Sequence, residues 1–188
     1  MNKALGIALI AAAFASSGCG STERAKAARE RNPAPCPNIL VLQDASRIIE
    51  FADDTQELQN VAYTGEFTNV SLGCRYFADK PIDISVELEM AFGRGPKAET
   101  REREFTYFVA VTRRDLEVIE KVEYTIPVKF GARDLVETVE QEIEKILIPR
   151  ATEKTAGTNF EVIVGFSLTS DQVRFNRSGK SLKFPELK

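Results

Sequence analysis

Of the side chains that could do chemistry, this chain has cysteines and many carboxylates but no histidine. Without imidazole there is no Ser-His-Asp or Cys-His nucleophile system, and the common metal sites lose their usual nitrogen ligand. The cysteines are Cys19, Cys36 and Cys74; none forms a C-x-x-C pair, so they make a poor zinc site. Asp53 and Asp54 are adjacent carboxylates after Phe51. Acid-base or cation work there needs a pocket or further oxygen ligands, and a solvated turn is the simpler reading. Glu137, Glu140, Glu142 and Glu144 lack the Asp-x-Asp-x-Asp-Gly loop of a calcium site and read as a solvated face. Gly93-Arg94-Gly95-Pro96 lacks the Gly-Lys-Ser/Thr ending of a phosphate loop and reads as a hairpin connection. Gly165-Phe166-Ser167 lacks the following x-Gly of a nucleophile elbow. The sequence thus nominates no catalytic residue, no cofactor-binding residue and no metal ligand set.

The elements that must carry these residues begin with an export signal. Met1-Asn2-Lys3 gives a basic start, and Ala4 to Ala15 is an apolar run of about 12 residues, short of the roughly 20 that span a bilayer core. Residues 1–18 therefore read as a signal peptide, not a membrane-spanning helix. Ser16, Ser17 and Gly18 lie directly before Cys19, a pattern that resembles the lipobox of bacterial lipoproteins. The resemblance implies that Cys19 becomes the lipidated N-terminus, with palmitate among its acyl chains, and that the membrane is a partner through that lipid. Ser16 stands where the lipobox usually has an aliphatic residue, and Ala13-Phe14-Ala15 offers the alternative of ordinary cleavage and a soluble secreted protein. Gly20 after Cys19 is similar to the sorting pattern for the outer membrane in some bacteria. With Cys19 lipidated, Cys36 and Cys74 remain as a pair. In an oxidising envelope they are expected to form a disulfide closing a loop of about 39 residues, for which chain entropy gives roughly 4 kcal/mol; two buried free thiols are the alternative.

Residues 19–37 are polar, charged and punctuated by Pro33, Pro35 and Pro37, the composition of a flexible tether. Arg24, Lys26, Arg29 and Arg31 could touch anionic lipid, but Glu23 and Glu30 dilute them. Beyond the tether the composition is that of one ordinary globular domain, the whole chain being 43% hydrophobic and 28% charged. A net charge of −3 carries no basic footprint of the kind nucleic-acid binding requires.

Alternation with period two dominates residues 38–178 and predicts half-buried strands. Ile82, Ile84, Val86, Leu88, Met90 and Phe92 share one face, and the stretch from about Glu117 to Phe130 alternates likewise, as does Phe160 to Leu168. Pro127 places its strand at a sheet edge or a bulge, and an edge is a surface on which another protein can pair. Phe105 to Thr112 is apolar on both faces and reads as a central strand. Between Val61 and Tyr76 the apolar set changes phase near Thr68 and Asn69, which predicts a turn or bulge. Asn38–Gln43 and Arg47–Ala52 look like one split first strand. Residues 134–148 fit helix and strand about equally by themselves, since Leu135, Val139, Ile143, Ile146 and Leu147 follow helical spacing, and the closely spaced strands around them tip the reading to strand. The expected fold is all-β: an antiparallel, immunoglobulin-like β-sandwich of about seven strands, with a possible helix at 134–148. Of the sixteen aromatics, twelve Phe and four Tyr, those at alternating strand positions are expected in the core. Residues 179–188 read as a loose tail.

The strings CPNILVLQDASRIIEF, GCRY, TYFVAVTRRD and FEVIVGFSLTSDQVRFNR look like segments of small envelope lipoproteins of uncharacterised function from Gram-negative bacteria. The resemblance implies lipidation and a compact β domain and supplies no activity. The functional expectation is a binding or scaffolding module, not an enzyme, held at the outer membrane facing the periplasm, with an envelope protein as partner. The alternative is a soluble periplasmic enzyme using carboxylates alone on envelope glycans. Several acyl chains bind a bilayer far more firmly than one, at roughly 0.8 kcal/mol per buried methylene. Cys19→Ser is therefore expected to move the protein from the membrane fraction to the soluble fraction or leave it as unprocessed precursor; fractionation with intact mass spectrometry checks this.

Overall fold

The computed structural model describes residues 35–77, 79–115, 117–184 and 186. The signal peptide, Cys19 and most of the tether lie outside them. The described chain forms β1 (Asn38–Val41), a 3-10 turn (Gln43–Ala45), β2 (Arg47–Phe51), β3 (Val61–Arg75), β4 (Ile82–Arg94), β5 (Glu102–Arg113), β6 (Val118–Lys129), β7 (Val136–Ile148), β8 (Phe160–Phe166) and the helix α1 (Ser170–Arg177). They assemble as two four-stranded sheets, ordered β1-β8-β5-β6 and β2-β3-β4-β7. Neighbours are antiparallel except β1, which runs parallel to β8.

The core follows from the alternation. Ile82, Ile84, Val86, Leu88, Met90 and Phe92 of β4 are all buried and face Phe105, Tyr107, Val109 and Val111 of β5 and Val162, Val164 and Phe166 of β8. Phe92 stacks on Phe105 across the gap, with ring centroids 4.4 Å apart, and Phe67 meets Phe166 at 4.7 Å. Each such side chain contributes on the order of 1.5–3 kcal/mol by leaving water. Phe108 is on the other face of β5, beneath the ammonium of Lys121, 4.8 Å from its ring centroid. β5 is central, as its two apolar faces predict. Pro127 lies on β6, an edge strand.

Three expectations change, and the open choice at 134–148 resolves to the favoured strand. The first strand is not one split strand: β1 and β2 join different sheets, which raises the count to eight among the described residues. Residues 136–148 are a strand, and a register shift opposite Ile84 and Val86 explains their helical spacing. Val139 and Ile143 fall on one phase and Ile146 and Ile148 on the other, so a bulge imitates an i, i+4, i+7 pattern. Leu135 and Leu147, counted with that apolar set, are exposed. The same device accounts for the phase change in β3, where the register shifts between Phe67 and Asn69. Gly93 to Pro96 is no hairpin, because β4 and β5 belong to different sheets; the chain crosses between layers there. A Cβ on Gly95 would lie 2.3 Å from the Val61 carbonyl oxygen, so only glycine fits this crossing.

The third change concerns the C-terminal segment. α1 opens with a capping box of Thr169 and Gln172. Phe175 then enters a small second core with Ile49 and Val61, flanked by Phe51 and Phe184. Asn176 donates to the carbonyls of Asp44 (2.9 Å) and Arg47 (2.8 Å), and Arg177 pairs with Asp44 at 2.6 Å. Residues 180–183 form a 3-10 turn with Ser181 buried. The segment expected to be loose from 179 onward is packed at least as far as Phe184.

Cys36 and Cys74 form a disulfide with Cα atoms 5.7 Å apart. Tyr76, beside it, donates to the Pro35 carbonyl (3.0 Å) and accepts from the Gly157 N–H (2.9 Å), so the start of the domain is fastened to the end of β3. Replacing both cysteines by alanine is expected to lower the unfolding free energy by about 2–4 kcal/mol while the β-sheet circular dichroism signal persists; urea titration measures it.

Candidate functional site

A cleft of ≈ 950 Å³ opens at one end of the sandwich, between the turn after β2, the strand entry at residues 97–103 and α1. Its floor is Tyr63, an inward-facing residue of β3. The Tyr63 hydroxyl donates to the Thr100 carbonyl (3.0 Å) and accepts the Thr100 N–H (3.2 Å), and its ring stacks on Phe130 with centroids 6.3 Å apart. Above the ring, 5.7 Å from its centroid, lies the Arg103 guanidinium. Glu50 grips Arg103 through both carboxylate oxygens, Nε to Oε2 at 2.8 Å and Nη2 to Oε1 at 2.9 Å. This planar fork-to-fork pairing fixes the orientation of the guanidinium as well as its charge, and the bonds from Glu50 raise the Arg103 pKa further.

On the rim, Asp53 accepts from the Thr55 hydroxyl (2.5 Å) and the Thr55 N–H (2.9 Å). These bonds, the hydroxyl foremost, hold its carboxyl below the ordinary carboxylate range. Glu102, also at the cleft, is held low by its bond to Lys129. Both are ionised at neutral pH and accept hydrogen bonds; neither offers the protonated oxygen that a carboxylate-only glycan cleavage needs from its acid. α1 supplies the opposite wall, with Asp171 paired to Arg174. The arrangement presents a stacked cation and fixed carboxylates around an open polar recess.

A second feature is electrostatic. On the outer face of the β2-β3-β4-β7 sheet, Glu87 stands directly opposite Glu142, and Glu89 opposite Glu140. Like charges in register across strands oppose pairing by several tenths of a kcal/mol each. Ser71 donates to Glu87 at 3.0 Å and Thr68 to Glu89 at 2.8 Å, which offsets part of this. Glu144 lies in the bulge of β7, and Glu137 lies opposite Phe92 near the end of the strand. Among the described residues no group of such side chains is gathered to hold a metal.

The residues singled out in the sequence are thus dispersed. Cys19 is outside the described residues, and Cys36 with Cys74 is the covalent clamp. Asp53 and Asp54 occupy the turn expected of them and also line the cleft. Ser167 donates to Glu123 at 2.9 Å. The Glu50, Tyr63 and Arg103 assembly was missed. Its available signal was a charged residue at an inward position on each of two strands, Glu50 after Ile48 and Arg103 before Phe105. No protein-family model, curated protein or solved structure matches this chain.

Because the folded-state pKa of Asp53 lies below 3.8, its ordinary value, the Thr55 bonds add stability that is complete above that pH and is lost as pH falls beneath it. Thr55→Val is expected to raise the Asp53 pKa toward the ordinary value, read by carboxyl-carbon NMR titration.

Proposed function

We propose that this protein is a lipid-anchored binding module of the bacterial envelope, held by Cys19 at the outer membrane and facing the periplasm, whose end cleft engages an envelope protein. The observation that carries the binding part of this reading is the Arg103 guanidinium clamped by Glu50 over Tyr63. An arginine fixed on an aromatic face at the mouth of an open recess, its charge already balanced by Glu50, is pre-organised to donate to a carbonyl-rich segment, and little side-chain freedom is lost when it is engaged. The anchoring part rests on the signal peptide and the lipobox-like Ser16-Ser17-Gly18-Cys19. The tether supplies reach: Gly20 to Pro35 extends to roughly 50 Å at most.

An immunoglobulin-like description draws support from two facing sheets and from a first strand laid parallel to the last. The strand order sets it apart, because β2, β3 and β4 run consecutively through one sheet and the last two strands, β7 and β8, lie in different sheets, where the immunoglobulin order has no three consecutive strands side by side and keeps its last two together.

A photocrosslinking residue at Asp54, on the cleft rim, is expected to capture an envelope protein in intact cells. Arg103→Ala should reduce that capture by about tenfold, the loss of one well-held charged contact, while a crosslinker at Glu87 is unaffected. Equal capture with and without Arg103 removes the cleft from the proposal. Specific glycan turnover by the purified domain, abolished by replacing one carboxylate, would replace binding with catalysis.

A further inference from the structure

We infer that the β6 edge is a self-complementary interface through which two copies of this chain pair antiparallel about a twofold axis at Val122, merging their β1-β8-β5-β6 sheets into one. The inference does not depend on the cleft. The sandwich has four edge strands, and three are poor templates for pairing. β1 has only four residues. β2 is covered by α1, whose Asn176 takes up the Arg47 carbonyl. β7 carries Glu140, Glu142 and Glu144, and laid against itself it brings glutamates together. β6 has twelve residues, and Val118 and Val122 are exposed along it at 59% and 38%.

The charge pattern of β6 selects its partner. A twofold axis normal to a sheet passes midway between a residue and its own copy, and with Val122 opposite Val122 Lys121 of each copy lies opposite Glu123 of the other, twice over. Moving the axis by one residue sets Lys121 against Lys121 or Glu123 against Glu123. The attractive register is therefore flanked on both sides by repulsive ones. It covers Val122, setting it against its own copy, and ends short of the bulge that turns Val118 to the other face, opposite Thr112. It also leaves Pro127 beyond the end of the paired stretch, where its missing N–H costs no ladder bond. In the single chain Lys121 and Glu123 pair with each other at 2.9 Å, Lys121 also lying over Phe108 and Glu123 accepting from Ser167, and both remain about half exposed, so a charge across the axis can reach them. A closed isologous contact of this kind ends at two copies and does not propagate into fibres.

Sedimentation equilibrium of the full chain tests the inference. The wild type is expected to be a reversible dimer. Lys121→Glu and Glu123→Lys each convert both opposite-charge pairs into like-charge pairs and should each raise the dissociation constant about tenfold or more, whereas the double variant, which swaps the charges, should return it to within about threefold of wild type. Val122→Cys should form a disulfide-linked dimer on oxidation. Circular dichroism melts confirm that each variant folds. A wild type that stays monomeric to roughly 100 μM, single reversals without effect, or a double variant as weak as the singles overturns the inference, as does finding this edge occupied by a different protein in place of a second copy.

Discussion

The packing of β4 against β5 is the constraint on which the rest depends. These strands are consecutive in the chain yet lie in opposite layers, with Phe92 stacked on Phe105 between them. The chain must therefore cross the thickness of the sandwich within residues 95–101, and it does so by pressing the backbone of Gly95 against that of Val61. Once the two strands face each other, the hairpins β3-β4 and β5-β6 extend each layer. The aromatic residues Tyr63, Phe67 and Phe166 then fill the space around the stacked pair.

The two lateral sides of this sandwich are finished differently. On the side of β1 and β2, the Gln43–Ala45 turn, α1 and the C-terminal turn close over the strand ends, and the small core around Phe175 seals them. On the side of β6 and β7 no helix among the described residues lies over the edges, and charge is the chief covering. The cleft belongs to the finished side and exists because α1 stands off from the strand entry at 97–103. The wall that closes an edge thus also creates the recess. The Glu50–Arg103 pair bridges the two sheets at that mouth and ties its shape to their spacing.

Much of the fold was legible where one physical rule acted alone. β4 could be read residue by residue because its inner positions are all apolar and its outer ones polar up to Glu89. The reading became ambiguous or failed where two rules overlapped. In β7 a bulge shifts the phase, so Val139, Ile143 and Ile146 acquire helical spacing in an extended chain. At residues 38–51 the alternation is visible, but alternation says which face is buried and not which sheet a strand joins; only the separate pairings of β1 with β8 and β2 with β3 distinguish them. The tail looked loose because Ser181 and Phe184 have no local pattern, and what holds them includes partners distant in sequence: Phe51 packs on Phe184, and Arg47 donates to the Ser181 carbonyl. The cleft was illegible for a related reason: Glu50, Tyr63 and Arg103 come from three strands, and their proximity is a property of the register.

The Cys36–Cys74 bond also has a mechanical meaning. A pull on the N-terminal segment enters the fold at Cys36, and the covalent bond carries it directly to Cys74 at the far end of β3. Residues 37–73 form the loop closed by that bond and lie off the load path. β1 and β2, the two shortest strands and the first to be stripped from an unlinked chain, are thereby relieved of tension. Force passes instead into the β3-β4 connection and the long central ladder behind it, so the part of the domain nearest to where such a pull enters is the part least strained by it.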